Sequence, residues 1–222
     1  MTTTNPSIAA QVELMYQGAA AQIPAEALAA FGAEQADLRA AGAPAGILVP
    51  GTAMPDGDLL DVHGQPTTLT TARGGKPAVV VFYRGGWCPY CNIALRAYEA
   101  DLLPALRTGG IELVAVSPQK PDGSLSTQQA NELSFTVVSD PGNQLARGLG
   151  ILTEPTADTQ AAQRSLGVNL AQANADGTPT IPMPTTVIVD AAGTVRWIDV
   201  HADYTSRSEA SDILTAIAST LV

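Results

Sequence analysis

Ala78-Val-Val-Val-Phe-Tyr-Arg-Gly-Gly-Trp-Cys-Pro-Tyr-Cys91 is the stretch from which the fold can be read. Ala78 to Tyr83 is an unbroken apolar run with three consecutive valines. Such a run, bounded by glycine, reads as a strand buried on both faces of a sheet. Gly85, Gly86 and Trp87 then lead to Cys88, and Pro89 suits the first turn of a helix. That helix is expected to reach about Arg107, with Leu95, Tyr98, Leu102 and Leu106 on one side and a kink at Pro104. Ile111 to Val116 reads as a second buried strand, which makes strand, helix and strand a right-handed βαβ unit. Ligands of open α/β sheets sit at the C-terminal ends of strands, and Cys88 and Cys91 lie there.

The flanking segments extend this α/β core. Leu59 to Leu69 looks like a hairpin turning through His63-Gly64-Gln65-Pro66, and Phe135 to Val138 like a short strand. Asp140-Pro141 should open a helix towards Leu149, and Thr153 to Thr180 reads as loop with a short helix. Thr185 to Asp190 and Thr194 to Val200 form an antiparallel hairpin, placing Trp197 in the core. Ser206-Arg-Ser-Glu209 has the spacing of a capping box before the last helix. The first 45 residues hold 15 alanines and five charges. They read as a helical hairpin: Ser7 caps a helix bearing Ile8, Val12 and Met15, and Pro24 starts one bearing Leu28, Phe31 and Leu38. Residues 1–46 are thus expected to be a helical extension on a domain spanning 47–222. Its apolar stripe should pack on its own body, with a homodimer contact as the lesser reading.

Composition excludes several classes. The net charge is −10, with 11 basic residues against 21 acidic ones among 222, and the basic residues form no cluster. Nucleic acid and anionic membranes are poor partners for such a chain. The longest strongly apolar run is far short of the ~20 residues that cross a bilayer. No basic segment followed by an apolar core opens the chain, so a cytoplasmic location is expected.

Cys88 and Cys91 are the only cysteines. A zinc site wants four ligands, and only His63 and His201 remain, in separate turns. The pair therefore reads as a redox dithiol needing neither metal nor cofactor. Unpaired N–H groups and the helix dipole favour a thiolate at a helix start, and Arg84 adds positive charge. Cys88 is expected to titrate below the free thiol value of about 8.5. Gly85 and Gly86 would let another molecule's backbone approach.

At these residues the chain resembles the thioredoxin superfamily, and within it the peroxiredoxin-like branch of the alkyl hydroperoxide reductase/thiol-specific antioxidant family. The resemblance runs through Val49-Pro-Gly-Thr-Ala-Met-Pro55, Phe82 to Cys91, Val138-Ser-Asp-Pro141, Pro184 to Asp190 and Asp203-Tyr-Thr-Ser-Arg207. It implies a central mixed sheet flanked by helices, and an antioxidant oxidoreductase that reduces hydroperoxides through a redox-active disulfide. A thioredoxin- or glutathione-type thiol system would supply the electrons. The family motif P-x-x-x-T-x-x-C places its proline at Arg84, its threonine at Cys88 and its peroxidatic cysteine at Cys91, so only the last matches. The family's late-strand arginine falls on Pro184, and Arg84 is left as a candidate replacement donor.

Aligned instead with thioredoxins and glutaredoxins, Cys88 attacks, Cys91 resolves, and Trp87, Pro89 and Tyr90 complete the dithiol loop. Met183-Pro184-Thr185 then resembles the cis-proline loop that faces such a dithiol. Peroxidase, disulfide oxidoreductase and non-catalytic binding module all stay open, in that order of preference. In every version His63 and His201 are turn residues, while Tyr204 and Arg207 anchor the last helix.

Overall fold

The computed structural model describes residues 5–19 and 22–221. Nine strands are present among them: β1 (Leu59–Asp61), β2 (Pro66–Thr67), β3 (Ala78–Phe82), β4 (Glu112–Ser117), β5 (Thr136–Ser139), β6 (Leu152–Thr153), β7 (Ile181–Pro182), β8 (Thr185–Val189) and β9 (Val195–Val200). Seven of these form one sheet, ordered β2-β1-β5-β4-β3-β8-β9, and β6 pairs with β7 separately. β3 lies parallel to β4, which lies parallel to β5; β8 runs antiparallel to both β3 and β9. The valine run thus becomes an inner strand, each residue paired on both sides and all five buried.

Period-two alternation splits that strand between two cores. Val79 and Val81 face a cluster holding Cys88, Cys91, Leu95, Tyr98 and Ile213. Ala78, Val80 and Phe82 face another, built with Leu145, Leu149 and Val187. Burying a large aliphatic or aromatic side chain contributes about 1.5–3 kcal/mol. Both faces must therefore be covered, and helices cover them: a mixed sheet flanked by helices, the thioredoxin-like arrangement that the sequence implies.

The helices are α1 (Ile8–Ala19), α2 (Ala25–Ala41), α3 (Leu69–Ala72), α4 (Pro89–Ala97), α5 (Leu103–Thr108), α6 (Pro121–Ala130), α7 (Gln144–Leu149), α8 (Ala157–Ser165), α9 (Leu170–Ala173) and α10 (Ala210–Thr220). Among the described residues, none is long and apolar enough to cross a membrane. The helix expected from Pro89 to Arg107 is split by a π-turn over Tyr98–Leu102. Pro104 explains the break: it has no N–H, and its ring crowds the carbonyl four residues earlier, so the preceding turn widens.

The two N-terminal helices pack on the body, as expected, each against a different element; the turn expected to join them as a hairpin lies partly outside the described residues. Ile8 is buried in the dithiol-side core, with Val12 and Met15 against it, while α2 packs on α8. Ser7 accepts from the Ala10 N–H as the expected cap. The expected capping box at Ser206–Glu209 does not form, since Glu209 makes no side-chain bond to its own helix. Its carboxylate instead accepts from the free N–H groups of Ile8 and Ala9, both at 2.9 Å. A carboxylate is favoured at either helix start, and α1 holds it.

Candidate active site

β3 ends at Phe82, and Tyr83 to Trp87 carry the chain over the sheet edge into α4, with Cys88 as N-cap and Pro89 in the first turn. The two glycines serve the protein's own side chains rather than an incoming backbone. Gly85 has φ +146°, and a Cβ there would overlap the Trp87 indole; a Cβ on Gly86 would overlap the Thr127 hydroxyl. The amide Nδ2 of Asn92 donates to Gly86 O at 2.8 Å, and Gly86 N–H donates to Gln119 Oε1, pinning the loop.

Cys88 and Cys91 are free and both buried, and the Cys91 N–H donates to Cys88 O at 3.1 Å. Their titration is the reverse of the expectation that Cys88 is the thiolate. Burial pushes the Cys88 thiol well up, and so does donating its proton towards a charged Cys91. Burial also opposes charge on Cys91, but three contacts outweigh it and hold this thiol well below its ordinary value. They are the Cys88 thiol, the Arg207 guanidinium and the Arg84 backbone N–H. Arg207 Nη2 donates to Cys91 Sγ at 3.0 Å, and the thiolate in turn more than offsets the burial that would discharge the guanidinium. The thiolate therefore sits one helical turn into α4.

Arg207, which the sequence assigns to anchoring the last helix, is the side chain brought to the dithiol that the reading of the sequence did not place there. It lies 116 residues from Cys91 in sequence, in the loop between β9 and α10. That loop folds back so that Arg207 Nη1 donates to Tyr204 O at 2.7 Å and to Ser206 O, leaving Nη2 for the sulfur. Asp203-Tyr-Thr-Ser-Arg207 was the available signal, through its resemblance to a family stretch. Arg84, the expected donor, is also present. Its guanidinium lies 3.9 Å from the Tyr204 ring centroid and 5.1 Å from that of Trp87. Its Nε has no hydrogen-bond partner among the described residues, nor does any carboxylate there pair with Arg84 or Arg207. Arg207 thus contacts the Cys91 sulfur directly, and the Arg84 charge adds to it from further off.

Met183-Pro184-Thr185 does not become a cis-proline loop. No cis peptide bond occurs among the described residues, so Met183–Pro184 is trans. The chain runs extended from β7 into β8 here. Thr185 Oγ1 donates to Met183 O, and Pro184 O accepts from the His201 N–H. Met183 packs in the core on the other face of the sheet from the cysteines. The loop bearing Tyr204 and Arg207 faces the dithiol instead.

Over Cys88 lies a cavity of about 390 Å³. Its floor is Arg84, Trp87, Cys88, Pro89 and Tyr90, and its walls include Tyr204, Leu166 and Val168. The N-terminal extension supplies the rest, with Met15, Tyr16, Ile23, Leu28 and Phe31. Burial, with the nearby Cys88, pushes Tyr90 up to about 12, so its phenol is a neutral wall at physiological pH. Cys91 does not line the cavity; it stands behind Cys88.

A sequence model described as the AhpC/TSA family matches residues 50–198. The chain belongs to this family. It is 30% identical over 101 residues to a chloroplastic peroxiredoxin Q of Sedum lineare, covering 46% of this chain and 53% of that protein. A second chloroplastic peroxiredoxin Q, from Populus jackii, is 31% identical over 101 residues, covering 46% of each. The chain thus spans about half the length of these curated relatives. Among solved structures, reduced Prx3 in complex with H2O2 from Vibrio vulnificus superposes with a TM-score of 0.62 at 18% identity, covering 77% of this chain and 99% of that one. Peroxidoxin BcpB from Mycobacterium tuberculosis superposes with a TM-score of 0.57 at 17% identity, covering 77% and 96%. These structures share the fold of this AhpC/TSA member. The N-terminal extension, which completes the cavity, lies outside the matched segment.

Proposed function

We propose that this AhpC/TSA protein is a thiol peroxidase that reduces hydroperoxides through a Cys91/Cys88 dithiol–disulfide cycle. The observation that carries the reading is Arg207 Nη2 at 3.0 Å from the sulfur of Cys91, the position that aligns with the family's peroxidatic cysteine, which with the Arg84 charge favours a thiolate there. Cys91 Sγ attacks the terminal oxygen of the hydroperoxide, the O–O bond breaks, and the alkoxide leaves and takes up a proton from water. The two guanidiniums are the positive charge under which that oxyanion departs, replacing the threonine and arginine that the motif positions lack. The Cys88 thiol, on the same helix start, then attacks the Cys91 sulfenic acid, forming the disulfide and releasing water. An external dithiol of the thioredoxin or glutathione type reduces the disulfide. The cavity above Cys88 accommodates an apolar group on the peroxide.

A second reading rests on Cys88 rather than Cys91 lining the cavity. A proton passing from Cys88 to Cys91 would leave the thiolate on the accessible sulfur, as a disulfide oxidoreductase requires. Stopped-flow Trp fluorescence of the reduced protein mixed with hydrogen peroxide separates the two, because Trp87 adjoins the dithiol. Rate constants orders of magnitude above free cysteine, abolished by Cys91→Ser and leaving a trapped sulfenic acid in Cys88→Ser, support the peroxidase. A rate no faster than free cysteine overturns it in favour of exchange.

A further inference from the structure

Next to the dithiol, where β9 turns towards α10, Asp199, His201, Ser206 and Ser208 form a second polar cluster. His201 Nε2 lies 3.0 Å from Asp199 Oδ2, and its Nδ1 lies 2.8 Å from Ser206 Oγ. Ser208 Oγ donates to the same Asp199 oxygen at 2.8 Å. An ionised carboxylate only accepts, so Nε2 carries a hydrogen and donates to Asp199; Ser206 Oγ, against Nδ1, also donates to Asp203 O at 3.0 Å. The bond from His201 leads the contacts that hold the Asp199 carboxyl below its usual range. Asp199 therefore fixes the ring, and the ring joins Asp203 O in holding the Ser206 side chain.

The connectivity is that of a Ser-His-Asp relay, yet the exposed Ser206 has another duty. Its carbonyl, with that of Tyr204, receives Nη1 of Arg207. Ser206 and Ser208, the residues on either side of Arg207, are both tied into the cluster. We propose that His201, oriented by Asp199, is a positioning residue for Arg207: by clamping Ser206 it sets the aim of Nη2 at the Cys91 sulfur. The inference rests on the peroxidase reading, in which Cys91 is the thiolate.

The test uses Cys88→Ser protein, in which Cys91 is the only thiol, so the rise of ultraviolet thiolate absorbance with pH reports Cys91 alone. Adding His201→Ala is expected to raise the midpoint by about one unit, because the guanidinium loses its fixed distance from the sulfur. With Cys88 intact, His201→Ala is expected to slow hydrogen peroxide reduction about tenfold, less than the 10²–10³ typical of a donor removed outright. His201→Gln, which keeps a planar donor and acceptor, should recover most of both. Should His201→Ala fail to fold, Asp199→Asn frees the ring without removing it and makes the same measurement. A folded His201→Ala protein with the parent midpoint and rate overturns the proposal alone. A parent Cys91 midpoint at or above that of free thiol overturns the peroxidase reading with it.

Discussion

Replacing Arg207 by methionine removes the charge and both donors while keeping an unbranched stem of similar length in the same buried space. The guanidinium stands 3.0 Å from Cys91 Sγ. At an effective dielectric constant of about 20, unit charges at that separation attract by about 5.5 kcal/mol. At 1.36 kcal/mol per unit this corresponds to about 4 units of thiol pKa. Guanidinium charge is spread over three nitrogens, water can enter the vacated space, and Arg84 remains. The expected rise is therefore about 2–3 units, the upper part of the usual range for a lost ion-pair partner. The thiolate absorbance of Cys88→Ser protein, with and without Arg207→Met, measures it directly. Reduction of hydrogen peroxide should fall by about 10²–10³ at neutral pH, since a donor to the departing oxyanion is lost as well. Urea melts separate this from unfolding, because the carbonyls of Tyr204 and Ser206 also lose their partner. A folded Arg207→Met protein whose midpoint moves by less than half a unit, and whose rate stays within about threefold, refutes the electrostatic argument.

The remaining predictions follow from the same contacts. Native Cys91 has lost its proton where the unfolded chain keeps it. The stability of the reduced protein should therefore rise with pH up to the ordinary thiol pKa of about 8.5. Above that, Cys88 reverses the slope, because the unfolded chain ionises it first. Urea midpoints across pH should show the rising limb in wild type and not in Cys91→Ser. Phe31→Ala, in the cavity wall, should slow an aryl-alkyl hydroperoxide several-fold while sparing hydrogen peroxide; equal effects on both would deny the cavity a role in selection. Gly85→Ala should cost about 1–3 kcal/mol in a thermal melt and shift Trp87 emission, because its Cβ overlaps the indole and its φ of +146° suits glycine. Asp140→Asn should cost about 1–3 kcal/mol despite its near-identical shape. Both carboxylate oxygens accept backbone N–H bonds from α7, so one end of an amide would meet a donor.

The sequence discloses what is local and hides what depends on distant partners. The Ala78–Phe82 strand is legible because three β-branched residues in an unbroken apolar run leave few alternatives. The dithiol at a helix start is equally plain, since Pro89 and the spacing of two cysteines are both local. Arg207 is not, because its closeness to Cys91 is made by a loop returning from the far end of the sheet. Glu209 misleads for a related reason: its spacing from Ser206 suits a capping box, but the open N-terminus of α1 competes for the carboxylate and wins. Which cysteine holds the charge is likewise a tertiary matter. The helix start favours both sulfurs, and only the convergence of Arg207 and the Arg84 N–H singles out Cys91.

The distance between the two cysteines has a consequence for survival under oxidant load. They stand three residues apart at the start of one helix, a spacing at which an S–S bond closes without unwinding secondary structure. In the proposed cycle, a sulfenic acid on Cys91 would therefore wait on no loop or helix to unfold before its partner arrives. A second peroxide molecule must diffuse in and compete with a neighbour already in place. In that proposed cycle the placement favours condensation to the disulfide over further oxidation to sulfinic and sulfonic acids. Under the proposed peroxidase function, placing both thiols at one helix start would guard the protein against inactivation by its own substrate.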